Sequence, residues 1–186
     1  KNLRPVAASG SGAAWSADGR RLAFVANDSG KSQIQMHWFD TGQTTSITDL
    51  TQSPQNLSWS PDGRWLAFNM RIPADQAPLA KMPSAPKGAE WAAPVKVIES
   101  VIYRVDGGGY IDPGYTQVFV VSSEGGAARQ LTSGKYNFNG QPAWTADGSA
   151  LIVSTNLSDD WEFQPMGADL YRVAISDGTV TRLTER

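Results

Sequence analysis

The chain of 186 residues has no cysteine, one histidine and no long apolar run. The missing cysteines exclude disulfides and thiolate metal sites, and they favour an oxidising, extracytoplasmic location such as a periplasm over the cytoplasm. A single histidine, His37, leaves a Ser-His-Asp triad only one possible base. Because no stretch of 18 apolar residues occurs, no membrane-spanning segment is predicted.

The chain also lacks a large excess of charge of either sign. The formal net charge is −2 and the isoelectric point is near 5.3, which gives no electrostatic reason to expect nucleic acid or an anionic membrane as a partner. Apolar and aromatic residues are plentiful, with 40% hydrophobic residues, seven Trp, five Tyr and six Phe. This composition is typical of a folded chain with a sizeable core.

One sequence pattern occurs three times. The segments AAWSADGRRLAFVAN (13–27), LSWSPDGRWLAFNMR (57–71) and PAWTADGSALIVSTN (142–156) align without gaps. Trp59 follows Trp15 by 44 residues, which matches one blade of a β-propeller, and Trp144 follows Trp59 by 85. The longer interval therefore contains either another blade or a large insertion.

Each repeat predicts a β-hairpin that continues into two further strands. In the second copy, Ser60-Pro61-Asp62-Gly63 fits a type I turn followed by a left-handed glycine. A strand rich in aromatic and branched residues follows each hairpin, and then a short closing strand ends in Leu-Thr or Ile-Thr (44–48, 128–132 and 180–184). Three closing strands indicate three blades, so the middle blade must carry the insertion.

We therefore predict an all-β chain: a partial β-propeller of three four-stranded antiparallel blades with WD40-like, WSPDG-type hairpins. The repeated tryptophans are predicted to pack blade on blade. The predicted bounds within the single unit 1–186 are about 11–50 for blade 1, 56–133 for blade 2 with its insertion at 72–114, and 141–185 for blade 3. Propellers close with four to eight blades. We therefore expect either part of a larger protein or self-association through the uncovered blade faces.

The second blade and its insertion resemble the prolyl oligopeptidase family. The residues that carry the resemblance are Tyr103-Arg104, Asp106-Gly107, Gly109-Tyr110, Val118 to Val121, Gly125-Gly126 and Leu131-Thr132, after a WSPDG hairpin. The acylaminoacyl peptidases and bacterial dipeptidyl aminopeptidases are the most similar branch. The resemblance implies a serine peptidase of short peptides, in which a propeller caps an α/β-hydrolase domain and restricts entry. This chain matches only the first part of such a propeller.

The chain itself is not predicted to be catalytic. No serine stands in a Gly-x-Ser-x-Gly nucleophile elbow, and the resemblance places the hydrolase domain outside this chain. His37 is interpreted as an ordinary face residue of a strand. The acidic group Asp159, Asp160 and Glu162 is interpreted as a solvated loop and not as a cation site. We predict no catalytic residue, no metal and no cofactor.

The insertion is the predicted functional segment. Arg71, Tyr103, Arg104, Asp106 and Tyr110 are the candidates for contact with a peptide substrate or with the hydrolase domain and the remaining blades that the resemblance implies. An arginine suits a peptide carboxylate because its guanidinium is bidentate. The alternative for Arg104 is that it pairs with Asp106 or with a neighbouring residue to hold the loop, and the same alternative applies to Arg71.

A second class of function stays open. A propeller of the Tol type would bind partner proteins and belong to no enzyme. Such blades follow one another at even intervals of about 40–45 residues, whereas here one blade carries about 40 extra residues (72–114). The uneven spacing favours the peptidase interpretation.

Overall fold

One side-chain motif holds the hairpin of each repeat. It is seen in a computed structural model, which describes residues 5–74, 80, 83–89, 91–92 and 95–184. In the second copy, Ser60 Oγ donates to Asp62 Oδ1 at 2.6 Å, and the same carboxylate oxygen accepts the N–H of Arg64. Gly63 takes φ = +67° and donates its N–H to Ser60 O. Ser16 with Asp18 and Thr145 with Asp147 repeat the arrangement. The turn is therefore specified locally.

These hydrogen bonds hold the pKa of each hairpin aspartate below its ordinary value. The hydrogen bonds from Ser60 and from Arg64 together lower the pKa of Asp62 to about 2, and those from Thr145 and Ser149 do the same for Asp147. A lowered folded-state pKa stabilises the fold above the unfolded value of about 3.9. That stabilisation disappears as the pH falls toward 2.

We expect the Asp62→Asn variant to be less stable than the wild type at pH 7. Because the aspartate loses its charge in acid, this difference should shrink as the pH falls from about 4 to about 2. Urea unfolding at several pH values measures it. Asp106→Asn removes an exposed aspartate outside the three repeated hairpins and is the control. A difference for Asp62→Asn that stays constant down to pH 2 would contradict the expectation.

The strands form three four-stranded antiparallel sheets, which we call blades 1, 2 and 3. Blade 1 contains β1 (Ser11–Trp15), β2 (Arg21–Asp28), β3 (Lys31–Trp38) and β4 (Thr44–Ser46). The next segment contains β5 (Pro54–Trp59), β6 (Trp65–Pro73), the separate hairpin β7 (Arg104–Val105) and β8 (Gly109–Tyr110), β9 (Gly114–Ser122) and β10 (Arg129–Gln130). Blade 2 is built from β5, β6, β9 and β10 of that segment. Blade 3 contains β11 (Ala143–Trp144), β12 (Ala150–Thr155), β13 (Asp169–Ala174) and β14 (Val180–Arg182).

The three-blade, all-β prediction is confirmed, and the described residues do not close a ring. The only helix among them is one 3-10 turn, Trp161–Phe163. The observed sheets span Ser11–Ser46, Pro54–Gln130 and Ala143–Arg182, and the predicted division of the chain stays a prediction. Residue 185, the predicted end of blade 3, lies outside the described residues.

The two internal boundaries between blades are apolar. Alternation along β6 sends Leu66 and Phe68 into the core shared with blade 1, and Ala67 into the core shared with blade 3. All three side chains are fully buried. Blade 2 is therefore apolar on both faces, as expected for a sheet covered on both sides.

Two of the repeated tryptophans pack between blades as predicted, and the third does not. Trp59 and Trp144 contact the two cores. Trp15 is 57% exposed, so the prediction that it is a core residue is wrong. The reason is its position: Trp15 points away from blade 2, toward the side of blade 1 that no described blade covers.

A second repeated motif closes each sheet. The threonine after the closing strand donates its hydroxyl hydrogen to a side chain near the start of the third strand. Its hydroxyl oxygen accepts the backbone N–H of the third-strand residue that follows this partner. The pairs are Thr48 with Gln33, Thr132 with Gln117 and Thr184 with Asp169. This contact explains the Leu-Thr and Ile-Thr endings seen in the sequence.

Candidate functional site

The site begins where blade 2 extends past its neighbours. In blades 1 and 3, Asn27 and Asn156 accept backbone N–H bonds from Gly30 at 2.9 Å and Ser158 at 3.0 Å, respectively, within the turns that follow their strands. Blade 2 has Arg71 at this position, and β6 and β9 stay paired as far as Pro73 and Gly114. The insertion therefore leaves from the end of a lengthened hairpin.

A small hairpin within the insertion positions two tyrosines. Strands β7 and β8 pair Arg104 with Tyr110. Ile111 N donates to Tyr103 O at 2.8 Å, which continues the pairing by one step. The rings of Tyr103 and Tyr110 have centroids 6.2 Å apart. The hairpin thus presents a pair of aromatic side chains.

A cavity of about 720 Å³ lies between the insertion, the lengthened hairpin of blade 2 and the 3-10 turn of blade 3. This volume is within the range of small-molecule and peptide sites, about 300–1,000 Å³. Its aromatic and apolar lining consists of Ala74, Val95, Val97, Ile98, Ile102, Tyr103, Tyr110, Ile111, Pro113, Tyr115 and Trp161.

Charged side chains of both signs also line the cavity. The cations are Arg71, Lys96 and Lys135, and the anions are Glu99, Asp112 and Glu162. Arg71 Nη2 donates to the backbone carbonyl of Asp112 at 2.5 Å, and Lys96 Nζ lies 4.3 Å from the centre of the Tyr110 ring. These contacts fix two cations on the cavity wall beside aromatic surface.

Blade 3 contributes the opposite wall. Glu162 Oε2, on the 3-10 turn, accepts the N–H of Val101 at 3.0 Å and so connects the insertion to blade 3. The group Asp159, Asp160 and Glu162, interpreted from the sequence as a solvated loop, therefore includes a cavity residue. The described part of the chain contains no cluster of three or more His, Asp or Glu side chains that could hold a metal ion.

The cavity brings together three of the five residues proposed from the sequence. Arg71, Tyr103 and Tyr110 line it. Arg104 and Asp106 are exposed on the β7–β8 hairpin and do not belong to the lining. The role of each of the five stays a prediction.

Sequence reasoning proposed none of seven further charged or aromatic lining residues as a site residue. These are Lys96, Glu99, Asp112, Tyr115, Lys135, Trp161 and Glu162. Lys135 and the 3-10 turn lie outside the insertion, and only the packing of blade 3 on blade 2 brings them to it. Lys96, within the insertion, carries no local motif that distinguishes it from a surface lysine.

The candidate base of a triad is elsewhere. His37 lies on β3 of blade 1, where Nδ1 is 2.7 Å from Thr44 Oγ1, and it does not line the cavity. No helix in the described ranges is long and apolar enough to cross a membrane.

The sequence is similar to that of a bacterial peptidase. It is 30% identical over 146 residues to the uncharacterized peptidase YuxL of Bacillus subtilis (strain 168), a match that covers 78% of this chain and 22% of the relative. The resemblance to peptidases is confirmed. The chain spans about a fifth of the length of that relative. No model of a known protein family matches the chain.

Solved structures give the same fold. The acylaminoacyl peptidase of Pyrococcus horikoshii superimposes with a TM-score of 0.64 at 17% identity, covering 95% of this chain and 25% of that protein. TolB from Acinetobacter baumannii superimposes with a TM-score of 0.54 at 16% identity, covering 96% and 33%. At these identities the likeness concerns the fold alone. The chain is a peptidase-related segment with the blades of a propeller.

Proposed function

We propose that this chain is the gate and substrate-sizing segment of a serine peptidase that acts on short peptides, and that the cavity beside the insertion binds the peptide. The observation that carries the proposal is a cavity of about 720 Å³ walled by aromatic residues and by charges of both signs. The similarity to a peptidase supports it. The catalytic step is proposed to belong to an α/β-hydrolase domain of the larger protein.

The lining suits short peptides with free ends. Such a peptide carries a negative carboxylate and a positive amine a few residues apart, and the cavity offers cations and carboxylates on its walls. An arginine can bind a carboxylate with two parallel N–H bonds, and a tyrosine ring covers apolar side chains while its hydroxyl stays hydrogen-bonded. We assign carboxylate recognition to Arg71, with Tyr103 and Tyr110 contacting the body of the peptide.

The exposed hairpin has a different proposed role. Arg104 and Asp106 are exposed and do not line the cavity, and the β7–β8 hairpin is a two-stranded sheet separate from the blades. We propose that these two residues contact the hydrolase domain. The described residues show no ion pair between Arg104 and Asp106.

Peptide binding to the full chain can be measured by calorimetry and by the fluorescence of Trp161, which lines the cavity. We expect a tripeptide with a free carboxylate to bind more tightly than its C-terminal amide. Arg71→Ala should weaken binding of the free acid about tenfold, the effect of one charge-assisted hydrogen bond, and should remove the preference over the amide. Arg104→Ala is the matched control, because its guanidinium lies outside the cavity.

Three results would count against the assignment. The first is no binding of any short peptide. The second is an equal loss of affinity in Arg71→Ala and Arg104→Ala. The third is an unchanged preference for the free acid in Arg71→Ala. A protein-binding propeller of the Tol type would give the first result, and the fold comparison alone does not favour it.

A further inference from the structure

The segment that joins blade 2 to blade 3 forms part of the cavity wall. Residues 47–53 join blade 1 to blade 2, whereas the longer segment 131–142, which we call the long linker, joins blade 2 to blade 3. Lys135, Asn137 and Asn139 of the long linker line the cavity. The polar groups that a bound peptide meets on this wall therefore depend on where the long linker lies.

Two asparagines of blade 2 hold the long linker by adjacent carbonyl groups. Asn69 Nδ2, on β6, donates to Phe138 O at 2.6 Å. Asn56 Nδ2, on β5, donates to Asn139 O at 3.0 Å. Both hydrogen bonds reach the part of the long linker that carries lining residues, so these two side chains connect the blade 2 sheet to the cavity wall.

Asn69 is a polar exception in an apolar core. It is fully buried and shares a face of β6 with Ala67, which belongs to the core between blades 2 and 3. Asn69 Oδ1 has no hydrogen-bond partner among the described residues, and a buried acceptor without a partner costs free energy. In the repeat alignment, blade 1 has Val25 at this position, within its core with blade 2. Packing one blade on the next therefore does not require an amide here.

Asn56 departs from the blade pattern in its backbone. It has φ = +56° at the irregularity in the pairing of β5 with β6. Blade 1 has Gly12 at the aligned position, with φ = +60°, and glycine adopts this conformation without a side-chain penalty. Blade 2 thus has a less favourable residue than blade 1 at two positions, and both of these residues bind the long linker. Local departures of this kind are expected where a site is built.

The long linker presents hydrogen-bond donors to the cavity. Asn137 Oδ1 accepts the N–H of Thr116 at 2.9 Å, and Phe138 N donates to Thr116 O at 2.9 Å. The first bond uses the acceptor side of the Asn137 carboxamide, which leaves Nδ2 as its donor. Lys135 Nζ is a second donor on the same segment and makes no ion pair with any described residue. The main chain of a peptide offers a carbonyl acceptor at every residue.

We propose that Asn56 and Asn69 are positioning residues of the peptide site, an inference that rests on the proposed function. They hold the long linker so that its lining side chains, Lys135, Asn137 and Asn139, donate to the carbonyl groups of the bound peptide. A wall that is already ordered before binding avoids the entropy loss of ordering it in the complex. The two asparagines therefore raise the affinity for peptide without being needed for the fold.

Replacing both asparagines by the residues of blade 1 tests this role. We expect the Asn56→Gly, Asn69→Val double variant of the full chain to bind a tripeptide with a free carboxylate about tenfold more weakly than the wild type, as measured by calorimetry. Each single variant should lose about threefold and replaces the double variant if that protein does not fold. The urea midpoint should stay close to that of the wild type, because Asn69→Val removes an unsatisfied acceptor along with the hydrogen bond.

Amide exchange locates the effect independently of the peptide. The N–H groups of Thr116 and Phe138, which are bonded between β9 and the long linker, should exchange faster in the double variant. Those of Val118 and Val120, within the fully buried part of β9, should be unchanged. Unchanged exchange at Phe138 would show that the two asparagines do not hold the long linker.

Val173→Ala is the matched control for stability. Val173 is fully buried in the core between blades 2 and 3 and does not line the cavity. This substitution should lower the urea midpoint and leave the affinity for the tripeptide within about twofold of the wild type. An equal loss of affinity in Val173→Ala would mean that the asparagines act only through the stability of the fold, against the positioning role.

The remaining outcomes separate this inference from the proposed function. If the wild type and the double variant bind the tripeptide equally well, the peptide site stands and the positioning role is wrong. If the wild type binds no short peptide, the proposed function is wrong and the positioning role fails with it.

Discussion

Phe68→Ala is expected to lower the free energy of unfolding by about 3–5 kcal/mol, because it leaves a cavity in the core as well as removing buried apolar surface. Phe68 is fully buried on β6. Its ring stacks on that of Phe119 with centroids 5.6 Å apart and an angle of 18° between the rings. Both rings belong to the core between blades 1 and 2. Loss of the Phe68 ring should therefore weaken the packing between blades 1 and 2 as well as blade 2 itself.

Phe163→Ala is the matched control for this prediction. Phe163 is 74% exposed on the 3-10 turn, and a surface substitution of this kind changes stability by about 0.5 kcal/mol or less. Urea unfolding followed by tryptophan fluorescence and by circular dichroism measures both variants. If fluorescence and circular dichroism give different unfolding midpoints only in Phe68→Ala, the blades of that variant unfold in separate steps. Equal stability of the two variants would mean that this core does not hold the blades together.

Gly114→Ala is also expected to be strongly destabilising, and its effect should concentrate at the cavity. Gly114 has φ = +148°, a conformation that side chains rarely adopt. A Cβ at this position would overlap the carbonyl oxygen of Ile72 and lie 3.0 Å from Pro73 Cα, both backbone atoms of β6. The paired end of β6 and β9 must therefore open. We expect a loss of about 1–3 kcal/mol.

Gly107→Ala separates the steric overlap from the backbone preference. Gly107 also has a positive φ, +74°, but a Cβ there meets nothing within 4 Å. Gly107→Ala should therefore cost only the preference for a left-handed residue, about 1 kcal/mol. Amide exchange in the wild type and in both variants locates the effect, which for Gly114→Ala should appear at Ile72 and Tyr115. Similar exchange in the two variants would show that the overlap is relieved without opening the strands.

Local chemistry explains why the blades could be predicted from the sequence. The turn at Ser60-Pro61-Asp62-Gly63 depends on residues within five positions of one another, and its hydrogen bonds are visible in the residue types alone. The alternation in β6 likewise fixed which side chains face which core. The peptidase resemblance came from similarly contiguous motifs.

The parts that could not be predicted depend on residues distant in the chain. Trp15 has the same sequence context as Trp59, and its exposure depends on which blade lies beside it. The cavity joins Arg71 to Lys135 and to Glu162, and no local pattern connects these three positions. Arg104 pairs with the lining residue Tyr110 and yet does not line the cavity itself, which its place in the sequence does not reveal. Each of these outcomes is set by the packing of one unit on another.

Trp59 and Trp144 each donate the indole N–H to a backbone carbonyl of the preceding blade, Ala14 O and Ser58 O respectively. Such contacts between neighbouring blades give the chain the energetics of a linear array. In such arrays stability is close to a sum of unit terms and nearest-neighbour terms. Blade 2 is the only described blade with two neighbours, so both coupling terms act on it, and opening should begin at the outer blades. The insertion leaves from blade 2. The segment proposed to contact the peptide is therefore attached to the most strongly coupled unit, where fluctuations of the outer blades disturb it least.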